Sequence, residues 1–223
     1  ISDFDKALAD YDQAIRLDNT DPLKYDNRAL ARSAKEDAKG ALADYDKAIE
    51  LDGTDPETYN LRGVLKYTME DLDGSIADYD KAIELYPGDA ELHYGRAEIY
   101  RAKEEFDLAI TDYDAAITLH PQMGLAFLHR GVCRFRLGDT DLAVDNFTRA
   151  IELDAELESN DVLSALYGRG RSYYRLDEYQ KAIADFDEAQ RREPSFRPGY
   201  IRGLCRYYSG DFHKAIDDFT LAI

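Results

Sequence analysis

Cysteine is nearly absent. The two present, Cys133 and Cys205, cannot build the dense disulfide framework of a small secreted domain. Proline and glycine are sparse, 6 and 14 of 223 residues, which argues against a disordered chain. No stretch approaches the roughly 18 apolar residues that suggest a membrane span. No charged leader followed by an apolar run opens the chain; it begins at Ile1 in mid-pattern, so it reads as an excerpt of a longer protein. Positive charge is in deficit, with 28 Lys and Arg against 46 Asp and Glu and a net charge of −18. Nucleic-acid phosphates repel such a chain unless its basic residues gather on one surface.

Catalytic and metal-binding signatures are missing too. There is no Gly-x-x-x-x-Gly-Lys phosphate loop and no Gly-x-Ser-x-Gly elbow. His93, His120, His129 and His213 have no second histidine or cysteine at metal-ligand spacing. Asp71-Leu72-Asp73-Gly74 and Asp139-Thr140-Asp141 faintly resemble calcium-loop starts but lack the acids and glycine that complete one. They read as negative charge at helix N-termini, where the helix dipole favours it. Asn146-Phe147-Thr148 matches a glycosylation signal but falls on a packed helix. No enzyme activity and no cofactor are expected.

What is present is a repeat. The segment Ala7–Ile15 (ALADYDQAI) returns from Ala41, Ser75, Ala109, Ala143, Ala182 and Ala215, at offsets of 34, 34, 34, 34, 39 and 33 residues. The long step implies about five extra residues within 154–161. In each copy, small, aromatic, small and branched residues fall at i, i+4, i+7 and i+8, one face of an amphipathic helix. Twelve residues before each later copy stands another small residue: Ala29, Gly63, Ala97, Gly131, Gly170 and Gly203. An arginine precedes each: Arg28, Arg62, Arg96, Arg130, Arg169 and Arg202. A second helix type therefore alternates with the first. Pro22 and Pro56 suit its opening turn, while Pro87, Pro121 and Pro194 punctuate the helix before.

The spacing predicts helices of the first type over 22–34, 56–68, 89–102, 123–136, 162–175 and 196–208. Those of the second type fall over 4–18, 38–52, 72–86, 106–120, 140–154, 179–192 and 212–223. The chain then forms a single array. An orphan second helix (1–19) precedes six pairs, 22–52, 56–86, 89–120, 123–154, 162–192 and 196–223. Neither end carries an evident polar cap.

A 34-residue helix–turn–helix unit with these small, alanine and aromatic slots resembles the tetratricopeptide repeat over essentially the whole chain. In the unit from Ala90, Tyr100, Ala109, Tyr113, Ala116 and Pro121 all fall in family slots. One departure is systematic: arginine always stands where the family usually has leucine before the small residue. Leu166 and Gly199 also fill a slot where an aromatic is expected, with Tyr167 and Tyr200 one residue later. The Arg-Gly and Asp-Tyr-Asp phrasing is similar to that of bacterial members. The resemblance implies an all-α, right-handed superhelical solenoid of antiparallel helix pairs, with first helices lining the concave face and second helices the convex back.

An arginine in a leucine slot needs its charge answered. The matching acids are Asp10, Asp44, Asp78, Asp112, Asp185 and Asp218, with Asn146 the exception. Each of the six arginines is expected to pair with such an acid or its neighbour on an adjacent second helix, a structural ladder in the bidentate geometry that guanidinium favours. First-type helices are net basic and second-type helices net acidic. Carried onto the solenoid, this gives an acidic exterior around a neutral-to-basic groove, most basic over 123–208. Offsets from the small residue aim Phe135, Arg136, Tyr167, Arg171, Tyr174, Arg175, Arg197, Tyr200, Tyr207 and Tyr208 at that groove. Earlier repeats offer Asn60, Tyr67, Tyr94 and Arg101. Some of these aromatics will instead pack between helices, and some arginines will serve the ladder.

Two binding modes of the family do not transfer. The chaperone-tail clamp needs lysines and asparagines where Asp26, Leu30, Leu61, Glu91 and Gly95 stand. The asparagine ladder of a glycosyltransferase array meets Asn27, Leu61, Gly95, His129, Gly168 and Ile201. The expected function is a non-enzymatic scaffold that binds a partner protein in the concave groove. That partner would offer an extended or helical segment with acidic and apolar residues. The alternative is a structural or assembly subunit using its convex face and ends. Nucleic acid and membrane are not expected partners.

Overall fold

The computed structural model describes residues 3–153 and 157–221. Among them are thirteen helices and no strand: α1 (Asp3–Leu17), α2 (Pro22–Ala34), α3 (Ala38–Leu51), α4 (Pro56–Thr68), α5 (Leu72–Leu85), α6 (Ala90–Ala102), α7 (Phe106–Leu119), α8 (Gly124–Leu137), α9 (Thr140–Glu152), α10 (Ser159–Arg175), α11 (Tyr179–Arg192), α12 (Gly199–Tyr208) and α13 (Phe212–Leu221). The chain forms two compact units, Ile1–Lys103 and Glu104–Ile223. The division falls between the two helices of the 89–120 pair.

Helix boundaries follow the repeat closely, with two departures. α10 starts at Ser159 rather than 162, so part of the inserted segment extends a helix; residues 154–156 lie outside the described set. α12 starts at Gly199 rather than 196. Pro198 accounts for this, since proline disfavours helical backbone in the residue before it.

In the first unit, consecutive helices from α1 to α6 pack on one another. Asp21, Asp37, Asp55, Asp71 and Asp89 cap α2 to α6, each accepting a backbone N–H of the first turn. Asp71 is thus committed to the Gly74 N–H at 3.0 Å. Tyr79 of α5 is the main wedge. A Cβ added at Gly63 would lie 3.2 Å from its ring, and one at Gly95 would lie 2.5 Å away. Only small residues let α4 and α6 close on it.

The second unit repeats the device. Phe147 of α9 stands 3.0 Å from where a Cβ would sit on Gly131 and 2.6 Å from one on Gly168. Phe186 and Phe219 press on Gly170 and Gly203 in the same way, at 2.7 and 2.6 Å. Cys133 and Cys205 are both buried. Burial pushes the Cys205 thiol up to about 11, so it is an inert core residue.

The turn inside each helix pair places one residue in the left-handed region. These are Glu36 (φ 63°), Glu70 (63°), Glu104 (60°), Gly138 (94°), Asp177 (60°) and Gly210 (84°). Only two are glycine, so four turns carry a Cβ where it is strained. Glu70→Gly is expected to stabilise the protein by about 0.5–1 kcal/mol in urea denaturation, the strain relieved outweighing the extra freedom of the unfolded glycine. Glu70→Ala, which keeps the Cβ, should change little.

Asp26 is the uncomfortable residue of the first unit. It is buried on α2, accepts one bond from Thr58 Oγ1 at 2.9 Å, and its Oδ1 has no partner among the described residues. Burial, offset in part by Thr58 and reinforced by the charges of Asp55 and Glu57, raises its pKa from 3.8 to about 6. A raised acid binds its proton more tightly folded than unfolded. Its penalty is absent below the unfolded value and complete above about 6, so stability falls as pH rises through that window. Asp26→Asn is expected to be more stable than wild type by about 2 kcal/mol at pH 7.5 and equal to it below pH 4, as read from thermal melts across pH.

Candidate interaction face and the arginine ladder

The arginine before each small residue reaches both ways. Arg28 binds Asp44 with two nitrogens, at 2.9 and 2.6 Å, and Asp12 with the third, at 2.7 Å. Arg62 does the same with Asp78 (2.9 and 2.5 Å) and Asp46 (2.7 Å). Arg96 binds Asp80 at 2.6 Å. Arg169 binds Asp185 (2.8 and 2.7 Å) and Thr148 (3.1 Å). Arg202 binds Asp218, Asp187 and Gln190. The two aspartates of an Asp-Tyr-Asp phrase therefore serve different arginines: the first binds the helix before, the second the helix after.

A second cation often joins. Arg32 also binds Asp44 at 2.7 Å, Lys66 also binds Asp78 at 2.8 Å, and Arg206 also binds Asp218 at 2.9 Å. These carboxylates are almost fully buried, and each is shared by two cations. Such pairs hold only because both partners are present; losing one leaves a buried charge and costs about 3–5 kcal/mol. Burial opposes the charge of Arg62, Arg169 and Arg202, and their aspartates more than offset it, raising all three pKa values.

Arg130 is the exception. Asn146 stands where the carboxylate should be, accepting from Arg130 Nε at 2.7 Å, while Arg130 Nη1 binds Asp114. Burial outweighs these bonds, and with Arg134 adding repulsion the Arg130 pKa is lowered.

The outward face of the first helices differs between the units. In the first, Leu30, Val64 and Tyr67 are exposed at 43, 47 and 42%. They border two small cavities of about 220 and 190 Å³ that both touch Val64. Arg101 is held by Glu98 on its own helix, at 3.1 and 2.5 Å. Tyr94 is half-buried. The apolar strip Leu30–Val64 was not anticipated from sequence, although both residues directly follow the small residue of their helix.

In the second unit the face is cationic and aromatic. Phe135 is buried, and two guanidiniums cover it: Arg175 Cζ lies 3.6 Å and Arg171 Cζ 4.9 Å from its ring centre. Arg175 Nη1 donates to the Phe135 carbonyl at 2.8 Å. Burial, then the charges of Arg171 and Arg136, push the Arg175 pKa down. Among the described residues, no carboxylate lies within 4.0 Å of the guanidinium nitrogens of Arg136, Arg171 or Arg175.

Beyond them runs an aromatic chain. Tyr174 meets Tyr179, which stacks on Tyr208 at 5.2 Å; Tyr208 meets Tyr207, and Tyr207 meets Phe212. Tyr207, Tyr208 and Phe212 are more than half exposed. Tyr167 is an inter-helix packing residue, in contact with Phe186 and Phe196. Tyr200 is exposed and leans on Phe219. Arg197 turns back to the carbonyls of Pro194 and Phe196. His129 packs against the Tyr113 ring. Among the described residues, no cluster of metal-ligating side chains occurs and no helix is long and apolar enough to cross a membrane.

Stacked helix hairpins with small-residue and aromatic interlocks define an α-helical repeat protein. Tetratricopeptide repeat family models match residues 27–90, 60–124 and 122–192, and the chain belongs to that family. No curated protein matches it. Among solved structures, YrrB, described as a TPR protein with an unusual peptide-binding site, is 23% identical with a TM-score of 0.71, covering 90% of this chain and 97% of that one. MamA is 24% identical with a TM-score of 0.66, covering 69% and 90%. PilW, a type IV pilus biogenesis factor, is 20% identical with a TM-score of 0.71, covering 88% and 89%. These likenesses establish the helical-solenoid fold.

The gap at Asn146 can be tested. Asn146→Asp places a carboxylate beside Arg130 and is expected to raise stability by about 1–2 kcal/mol at pH 7. Guanidinium titration of both proteins measures the difference.

Proposed function

We propose that this chain is a non-enzymatic protein–protein interaction scaffold that holds a partner segment against the first-helix face of its second unit. One observation carries the reading: Arg136, Arg171 and Arg175 lack carboxylate partners in a chain with a large excess of acid. The ladder arginines Arg28, Arg62, Arg96, Arg169 and Arg202, by contrast, are matched to aspartates at hydrogen-bond distance. Three unmatched guanidiniums beside exposed tyrosines suit a guest with acidic and apolar side chains, since arginine and tyrosine are common interface anchors. The peptide-binding site of YrrB is consistent with this use of the fold. The exposed Phe212, Ile216 and Leu221 of α13 support a second reading, a subunit docked through that helix.

The test is co-purification with the triple replacement Arg136→Ala, Arg171→Ala and Arg175→Ala, with an unchanged circular dichroism melt as the folding control. Acid-rich partners recovered with the wild type are expected to fall about tenfold or more with the variant, the loss of two or three charge-assisted contacts. Arg101→Ala, whose guanidinium is already held by Glu98, should leave recovery intact. Equal recovery with the triple variant, together with loss on Phe212→Ser and Ile216→Ser, favours the second reading.

A further inference from the structure

We infer that the Arg136–Arg171–Arg175 cluster receives a phosphoryl group, so that the scaffold holds its partner when that partner is phosphorylated. This rests on the reading of the face as a partner-binding surface and specifies the chemistry of the guest.

The chain supplies its own scale for what one carboxylate satisfies. Asp44 is shared by Arg28 and Arg32, Asp78 by Arg62 and Lys66, and Asp218 by Arg202 and Arg206. One carboxylate thus answers two cations, even where all three groups are buried or half-buried. The open cluster has three cations and no internal acid. A single guest carboxylate would leave one guanidinium unanswered beside two like charges. A phosphorylated side chain brings about −1.5 to −2 charges and three strong acceptor oxygens.

Orientation favours the same guest. Arg171 and Arg175 stand one turn apart on α10, and both guanidiniums lie within 4.9 Å of the Phe135 ring centre. Arg175 is steadied by its bond to the Phe135 carbonyl, which occupies one nitrogen and leaves the others free to donate outward. Arg171 and Arg175 are therefore held in place before a guest arrives, which lowers the ordering cost of binding. Planar guanidiniums suit multidentate contact with an oxyanion better than lysine ammoniums would.

The experiment uses soluble degenerate peptide pools with identical apolar flanks and three fixed centres: phosphoserine, a glutamate pair, or serine. Binding of the purified chain is read by fluorescence anisotropy in competition format. The phosphoserine pool is expected to bind about tenfold tighter than the glutamate pool, and the pair Arg171→Ala and Arg175→Ala should erase that margin. Equal binding of the phosphoserine and glutamate pools overturns the phosphoryl inference and leaves the acidic-segment reading standing. If neither pool binds better than serine, both fall. A margin that persists in the arginine variant also overturns the assignment to this cluster.

Discussion

The repeat depends on one contact: an arginine on a first helix bound to aspartates on the second helices before and after it. Arg28, Arg62 and Arg202 each bind acids on both neighbouring second helices. The contact needs the guanidinium fork, because one plane must present nitrogens to two helices at once. It needs glycine or alanine one residue later, because the second helix must approach closely enough for its aspartate to reach. It also needs the aromatic between the two aspartates, which fills the space the small residue leaves. Arginine, small residue and Asp-Tyr-Asp are therefore one device written in two places, sixteen residues apart.

This interdependence explains what was legible in the sequence. The period fixed most helix ranges because small and aromatic residues can meet only in one phase. Asp44, Asp78, Asp185 and Asp218 are legible because the same offset recurs; Asp12, Asp46 and Asp187, which bind the arginine that follows them, carry no separate signal. Boundaries slipped at α10 and α12, where an insertion and Pro198 break the period. The face residues were harder to read. Offsets say which way a side chain leaves its helix, not what meets it there. Phe135 leaves in the outward direction and is covered by Arg171 and Arg175. Arg101 leaves the same way and is taken by Glu98. Arg197 stands in a loop and folds back on its own carbonyls. Tyr167 fills a gap between helices. The apolar strip of Leu30 and Val64 carries no sequence signal, because an aliphatic residue beside the small one reads equally well as core or as surface.

The two units reach the same packing with different surfaces. The first has aspartate caps on α2 to α6, closes its outward arginine on a glutamate and shows an apolar strip. The second has no side-chain cap bond on α7 to α12 and leaves its outward arginines open. A repeat architecture permits this, because the residues that interlock the helices are not those that face outward. The guest-facing positions can change in charge while the ladder beneath them stays intact.

The amide at position 146 makes one rung of the ladder a neutral acceptor rather than an ion. Asn146 answers Arg130 Nε with a single bond, where Asp44, Asp78 and Asp185 each take two nitrogens of their arginine. The α8–α9 hairpin is thus clasped across its two helices by a charge meeting a dipole, where its sister hairpins are clasped by a charge meeting a charge.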